Sequence, residues 1–401
     1  MKPGHIHRAA GGACAAALLT ALAMPAHAAE PKLLEGLPPS LASLYQSDTA
    51  NLKPSAYDDF KMPAKPWKWC HSESYQGNPW RVSVTNELRR LVEIYKAHGL
   101  VSDFVMSDSN NDTSRQIAQI RDFIDKKCSI ITMIAGSSTG LNDAIAAAFK
   151  AGIPVVTAAG SVTSPDAINV DSNYVGWGYD MMQAIGQALH GHGTVLMVEG
   201  IAGHPIVAQE REGAEAALKQ EPGLHVVRRV NGNWTANVTK SVVLQALATT
   251  PQKIDAVWTT GSESRVIAED FAEAGRPAPL ITGSISGDAL GYWHAHPDRY
   301  RLEGNAVLPS WTAQTLFRVG VRVLEGQAPK LNTLMIPIPA VHESQLGQWY
   351  RPCMTPSSVS VFPIAPTDPM PVASMNDYFL HPKPIADYDY TQTPDPCGAA
   401  K

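Results

Sequence analysis

The chain has 401 residues, 44% of them hydrophobic and 17% charged, with a formal net charge of −5. That length suffices for one large core or two modest ones. No block of basic residues interrupts it, which argues against nucleic acid as a partner, and beyond the amino terminus no apolar stretch is long enough to span a bilayer.

The first residues read as an export leader. Lys2 and Arg8 form a positive region, Ala9 to Met24 a small-residue apolar run, and Ala26-His27-Ala28 an A-x-A cleavage site. Residues 1–28 are therefore expected to be a signal peptide. The run is short and Ala-rich, against the roughly 20 strongly apolar residues a membrane span needs. Cys14 precedes most of that run, which argues against a lipid anchor. Loss of the leader removes two basic and no acidic groups and moves the net charge to −7. Four cysteines then remain, and an even count in an exported chain favours disulfides over metal. Cys353 and Cys397 flank a Pro-rich tail that needs tethering, which leaves Cys70 with Cys128. Four separate buried thiols are the alternative.

Residues 29–66 are rich in Pro, Ser and Ala, show little periodicity, and read as an extended arm. From Trp67 the pattern alternates. Strands are predicted at Trp67–Ser72, Ser102–Ser107, Ser129–Ala135 and Pro154–Ala158, with helices at Val82–His98, Thr113–Lys126 and Leu141–Lys150 between them. The pattern then restarts. Helices are predicted at Tyr179–His190, Val207–Gln220, Val238–Ala248 and Arg265–Ala274, and strands at Thr194–Glu199, His225–Val230, Ala256–Thr260 and Leu280–Gly283. A strand at Arg301–Val307, a helix at Thr312–Glu325 and a strand at Leu334–Pro339 follow. Beyond Tyr350 the chain holds too much Pro for a sheet interior. Such alternation implies parallel sheets with helices on both faces.

Several segments stand in a recognisable order. Asn78-Pro79-Trp80 follows the first strand and Asp108-Ser109-Asn110-Asn111-Asp112 the second. Ala151-Gly152-Ile153-Pro154-Val155-Val156 leads into another strand, and Asp171-Ser172-Asn173 marks a crossing. Glu199-Gly200-Ile201-Ala202-Gly203 precedes Glu210-Arg211-Glu212-Gly213. Together these resemble the ribose/galactose-type periplasmic binding proteins, the type I solute-binding fold, from roughly Trp67 to Pro339. The resemblance implies an α/β fold of two similar Rossmann-like lobes with parallel sheets, joined by a three-crossing hinge. Lobe 1 would take residues 67–172 plus 308–336 and lobe 2 residues 173–307 plus 337–352. The arm 29–66 and the Pro-rich tail 353–401 would wrap the lobes or cover the hinge. Repressors sharing this fold carry a helix-turn-helix before it, and none is visible here.

The function implied is that of a periplasmic substrate-binding component of an ABC-type importer. It would capture a small solute where strand ends meet and close by hinge motion. The partner implied is an inner-membrane permease with its ATPase; a receptor or sensor kinase reading the closed form is the alternative. The chain is expected to be a monomer, with no enzymatic activity, no cofactor and no metal.

Site residues follow from the same resemblance. Asn78 and Arg211 would hydrogen-bond the ligand, with Arg81 beside them. Trp80 and Trp234 would present aromatic faces. For Arg211 the alternative is a surface salt bridge with Glu210 or Glu215, and for each Trp an ordinary core position. Four positions depart from the family. Ala159-Gly160 replace an Asp-Arg pair, Gly261 falls near an Asn, Ser284-Ile285-Ser286 near an Asp, and Val307 on a hinge Gln. A buried sugar needs most hydroxyls paired, at about 1–3 kcal/mol for each left unpaired. A ligand less polar than a simple monosaccharide is therefore expected, with compensating contacts from Ser137, Ser138, Ser262, Glu263, Ser286 and Asp288.

Three rival readings are weaker. Gly136-Ser137-Ser138-Thr139-Gly140 fits the G-x-S-x-G elbow of a serine hydrolase, with Ser138 as nucleophile and His294 or His342 as base. No oxyanion segment accompanies it. His190-Gly191-His192 and His294-Ala295-His296 each pair two imidazoles, short of the three or four ligands zinc requires. Gly176-Trp177-Gly178 begins like a dinucleotide motif but lacks its third glycine.

Overall fold

A computed structural model describes residues 31–46, 51–368, 370–385 and 393–398. The expected signal peptide, residues 1–28, lies outside the described residues, as does Cys14. Twelve strands are present: β1 (Trp67–Glu73), β2 (Val101–Asp108), β3 (Ile130–Ile134), β4 (Val155–Ala158), β5 (Ala167–Asp171), β6 (His192–Glu199), β7 (Gly223–Asn231), β8 (Ala256–Thr259), β9 (Leu280–Ser284), β10 (Arg301–Asn305), β11 (Thr333–Met335) and β12 (Ala340–Val341). They form two six-stranded sheets, in the orders β11-β5-β4-β3-β1-β2 and β12-β10-β9-β8-β6-β7. Every pairing is parallel except β10 with β12. Strands such as Ile130–Ile134 are buried along their whole length, as a sheet covered on both faces requires.

Among the described residues nine helices connect these strands: α1 (Pro79–Ala97), α2 (Thr113–Asp125), α3 (Asn142–Lys150), α4 (Tyr174–Ala188), α5 (Pro205–Gln220), α6 (Ala236–Thr249), α7 (Ser264–Glu273), α8 (Gly287–Ala295) and α9 (Pro309–Leu324). Side-chain caps set several starts. Asn78 accepts from Arg81 N–H at 2.9 Å and Asn173 from Gly176 N–H at 2.7 Å. The second cap explains why α4 begins at Tyr174 rather than at the predicted Tyr179. Strand β5 and helix α8 were not foreseen, and the strand expected at Leu334–Pro339 stops at Met335, before Pro337.

The chain passes between the sheets after β5, after β10 and between β11 and β12. Helix α9 follows β10 of the second sheet yet packs on the first, where Phe317 stacks on Trp69 with centroids 4.5 Å apart. In lobe 2, α4 and α5 touch backbone to backbone. A Cβ on Gly213 would lie 1.8 Å from Val175 O, and one on Gly178 2.0 Å from Glu210 O. Both disulfides are formed, Cys70–Cys128 inside lobe 1 and Cys353–Cys397 across the tail.

The arm, expected to be extended, is partly helical. It forms helical turns at Pro31–Leu34, Pro39–Ala42 and Ser43–Tyr45, and it is built into lobe 1. Tyr45 donates to Thr333 O at 2.6 Å. Tyr57 donates to Asp166 O at 2.7 Å and accepts from Val155 N–H at 3.1 Å. Leu37, Leu41 and Tyr45, four residues apart, are all buried. The tail is irregular as expected, but it joins the lobes. Gly287 N–H of α8 donates to Val361 O at 2.7 Å. A few residues later Asp368 pairs with Arg318 of α9 at 2.9 Å, and Lys330 N–H donates to Tyr378 O at 2.8 Å. Residues 362–367 thus form a fourth passage between the lobes.

Candidate functional site

Parallel strands of both sheets point their carboxyl ends at the cleft, so the loops after them form its walls. An inner chamber is lined from lobe 1 by Asn78, Trp80, Arg81 and Ala159, and from lobe 2 by residues including Trp177, Glu210, Trp234, Thr260 and Ser284. Val307 of the second crossing completes the wall. A wider outer chamber holds Ser138, Ser161 and Thr163 from lobe 1, His204 and Arg211 from lobe 2, and Asn51 and Leu52 from the arm.

The lobes touch directly. Tyr75 and Thr235 share a hydrogen bond at 3.0 Å. Arg81 is buried and places Nη2 3.3 Å from His204 Nε2, while Nη1 meets Glu73 at 3.1 Å and Ser74 at 2.9 Å. A guanidinium only donates, so His204 must present a lone pair at Nε2. Burial, and then the Arg81 charge, lower the His204 pKa to about 3. The imidazole stands edge-on to Trp234, with centroids 5.1 Å apart. The molecule is thus described in a closed form, its lobes latched by a neutral histidine against an arginine.

Glu210 is buried in the chamber wall. Burial pushes its carboxyl well above the usual range; the nearby Thr260 hydroxyl lowers it and the Glu199 charge raises it. Among the described residues its Oε1 has no hydrogen-bond partner, nor have Ser284 Oγ and Trp177 Nε1, and Thr260 Oγ1, though it faces the Glu210 carboxyl, meets no partner in good geometry. All four belong to residues lining the inner chamber. Behind that wall, burial raises the Glu263 carboxyl to about 7, against the backbone hydrogen bond that lowers it.

The expected site residues divide. Asn78, Trp80, Arg81, Ala159, Trp234 and Ser262 line the inner chamber. Ser138 and Arg211 line the outer one. Gly160 sits against His204, where a Cβ would be 3.7 Å from Cε1. Ser137 turns back to accept from Gly140 N–H at 3.0 Å. Ser286 donates to Asp288 at 2.6 Å, Asp288 is held by Arg265 at 2.8 Å, and Glu263 packs under Gly261, so these three lie behind the lining. Arg211 lies away from the inner chamber for a reason of helix phase. Ile206 and Glu210, four residues apart on α5, face the inner chamber; Val207 and Arg211, one step round, face the outer. Arg211 is held there by both oxygens of Glu199. The positions that depart from the sugar-binding pattern, Ala159, Gly261, Ser284 and Val307, all line the inner chamber. Glu210, Trp177 and Tyr174 were missed, although helix periodicity placed Glu210 with Ile206 and Tyr174 with Trp177.

The hydrolase arrangement is not assembled. No described hydrogen bond joins Ser138 to a histidine; His294 stacks on Tyr350 at 4.1 Å and His342 pairs with Glu303 at 2.9 Å. Among the described residues no three or more His, Cys, Asp or Glu gather as a metal site, and no helix is long and apolar enough to cross a membrane.

Known proteins resemble this chain. A curated xylitol-binding protein of Mycolicibacterium smegmatis is 25% identical over 183 residues, 45% of this chain and 52% of that protein. The ribose import binding protein of Haemophilus influenzae is 28% identical over 146 residues, 35% of this chain and 47% of that one. The chain thus spans about half the length of the curated relatives it matches. The crystal structure of an ABC transporter solute binding protein from Thermobispora bispora shares the fold, with a TM-score of 0.67 at 24% identity over 72% of this chain and 89% of that one. Residues 72–297 match the family described as periplasmic binding protein domain, and by that match, over a two-lobed fold with a chamber at its strand ends, the chain belongs to that family.

Proposed function

We propose that the chain is the periplasmic substrate-binding component of an ABC-type importer. It captures one small neutral solute by closing its lobes and presents the closed form to an inner-membrane permease with its ATPase. The observation that carries this reading is the inner chamber, walled by residues of both lobes and the hinge and latched by Arg81 against His204. The leader-like residues 1–28 support export to the periplasm, and the closed chamber supports binding without chemical conversion. The cargo is less hydroxylated than a free pyranose. Ala159, Gly261, Ser284 and Val307 replace longer polar side chains around it, while Trp80, Trp177 and Trp234 supply aromatic surface.

A thermal-shift screen of the protein against sugars, polyols, and small aromatic and alicyclic solutes tests this, because a ligand of the folded state raises the melting temperature by mass action. A neutral solute with an apolar face should give the largest shift. Ribose, xylose or galactose giving it would overturn the reading of the cargo. Deleting the gene should abolish uptake of that solute; unchanged uptake with a lost transcriptional response would favour a sensor kinase as partner.

A further inference from the structure

The polar groups of the inner chamber are unevenly shared between the lobes. On lobe 1 they are engaged except for the amide nitrogen of Asn78. The Asn78 carbonyl accepts from Arg81 N–H at 2.9 Å, Trp80 Nε1 donates to Val307 O at 2.7 Å, and Arg81 is held by Glu73, Ser74 and His204. Ala159 brings a methyl group. On lobe 2 the Tyr174 hydroxyl is engaged by Asp171, but four other groups are not. Glu210 Oε1, Ser284 Oγ and Trp177 Nε1 have no partner, and Thr260 Oγ1 meets none in hydrogen-bond geometry. These four residues are more than nine-tenths buried and come from separate elements, α4, α5, the turn after β8 and the end of β9.

Buried polar atoms are almost always paired, and lone ones mark where a ligand completes the set. Three of the four groups can donate and accept once Glu210 is a neutral acid; the indole N–H only donates. No unpaired formal charge faces the chamber, since Arg81 is matched by Glu73. We propose that the cargo is a compact neutral ring compound hydroxylated along one edge only, that lobe 2 reads this edge, and that Glu210 determines specificity as a neutral carboxylic acid donating to it. Lobe 1 then closes Trp80 and Ala159 over the bare edge. The proposal rests on the solute-binding reading above and names its ligand class.

Two six-membered carbocycles make the test. All-cis cyclohexane-1,2,3-triol carries hydroxyls on one edge, whereas myo-inositol carries them all round. Titration calorimetry should show the triol binding about tenfold or more tighter than the inositol, the effect of one poorly placed polar group. Glu210→Gln, which keeps a neutral donor and acceptor, should hold triol affinity within a few-fold, and Glu210→Ala should lose about tenfold or more. Thr260→Val provides a second loss if Glu210→Ala fails to fold. Equal or tighter myo-inositol binding, or a triol that stays silent while another solute binds, would overturn the one-edge class and leave the solute-binding reading intact. Glu210→Gln losing as much as Glu210→Ala would overturn the donor role. A protein that binds no solute of any class defeats the underlying reading itself.

Discussion

Lowering the pH should unlatch the lobes through His204, and His204→Asn should remove that sensitivity. In the closed form burial and the facing Arg81 hold the imidazole neutral with a pKa of about 3, against an ordinary value near 6.5. The proton is therefore taken up by open or unfolded states first. Stability is full above about pH 6.5 and is lost as the pH falls below it. At pH 5 the loss works out at about 2 kcal/mol, roughly a thirtyfold shift toward the open or unfolded chain. Other groups pull the opposite way. Burial raises Glu263 and Asp270 to about 7, so their protonation stabilises the fold as the pH drops. A difference between parent and variant isolates the histidine. Asn is itself a favoured N-cap residue, so His204→Asn should leave the start of α5 intact. Urea titrations at pH 7.5 and pH 5, followed by tryptophan fluorescence, should show the parent losing about 2 kcal/mol more than the variant. Equal losses would refute the reasoning.

Other changes probe the frame that holds the site. Gly213→Ala drives a methyl into the Val175 carbonyl, and should cost about 2 kcal/mol or more by urea titration while forcing α4 away from α5. Replacing Cys353 and Cys397 by Ser releases a loop of 44 residues, worth up to about 4 kcal/mol on the chain-entropy account, and should lower the melting temperature without changing the Cys70–Cys128 bond. Tyr57→Phe removes a hydroxyl that both donates to Asp166 O and accepts from Val155 N–H. It should cost about 1–3 kcal/mol in chemical denaturation, because the buried strand amide is left unpaired.

Much of the fold was legible because it is written in period. Continuous apolar strands such as Ile130–Ile134, separated by amphipathic helices, announce a parallel sheet, and the restart after Asp171 announces a second. Elements whose signal is not periodicity were lost. The first turn of α4 is glycine-rich and starts from a side-chain cap, and β5, five residues long, lies directly before the crossing. The arm was misread because Leu37, Leu41 and Tyr45 sit among prolines that mask their spacing. At the site, loops after strands were placed well. Ala159, Gly261, Ser284 and Val307, singled out through the family resemblance, line the inner chamber. Arg211 shows the limit. A helix turns about 100° per residue, so an alignment that finds the right segment still selects the wrong face, and Glu210 is the residue turned inward.

Whether the inner chamber holds the cargo is tested most directly by native mass spectrometry of the protein taken from its own cells. One small neutral solute per chain should accompany the parent. It should be lost when Trp80 and Trp234 are both replaced by Ala, with the fold intact by circular dichroism. A solute retained unchanged by that variant would place binding elsewhere and contradict the account.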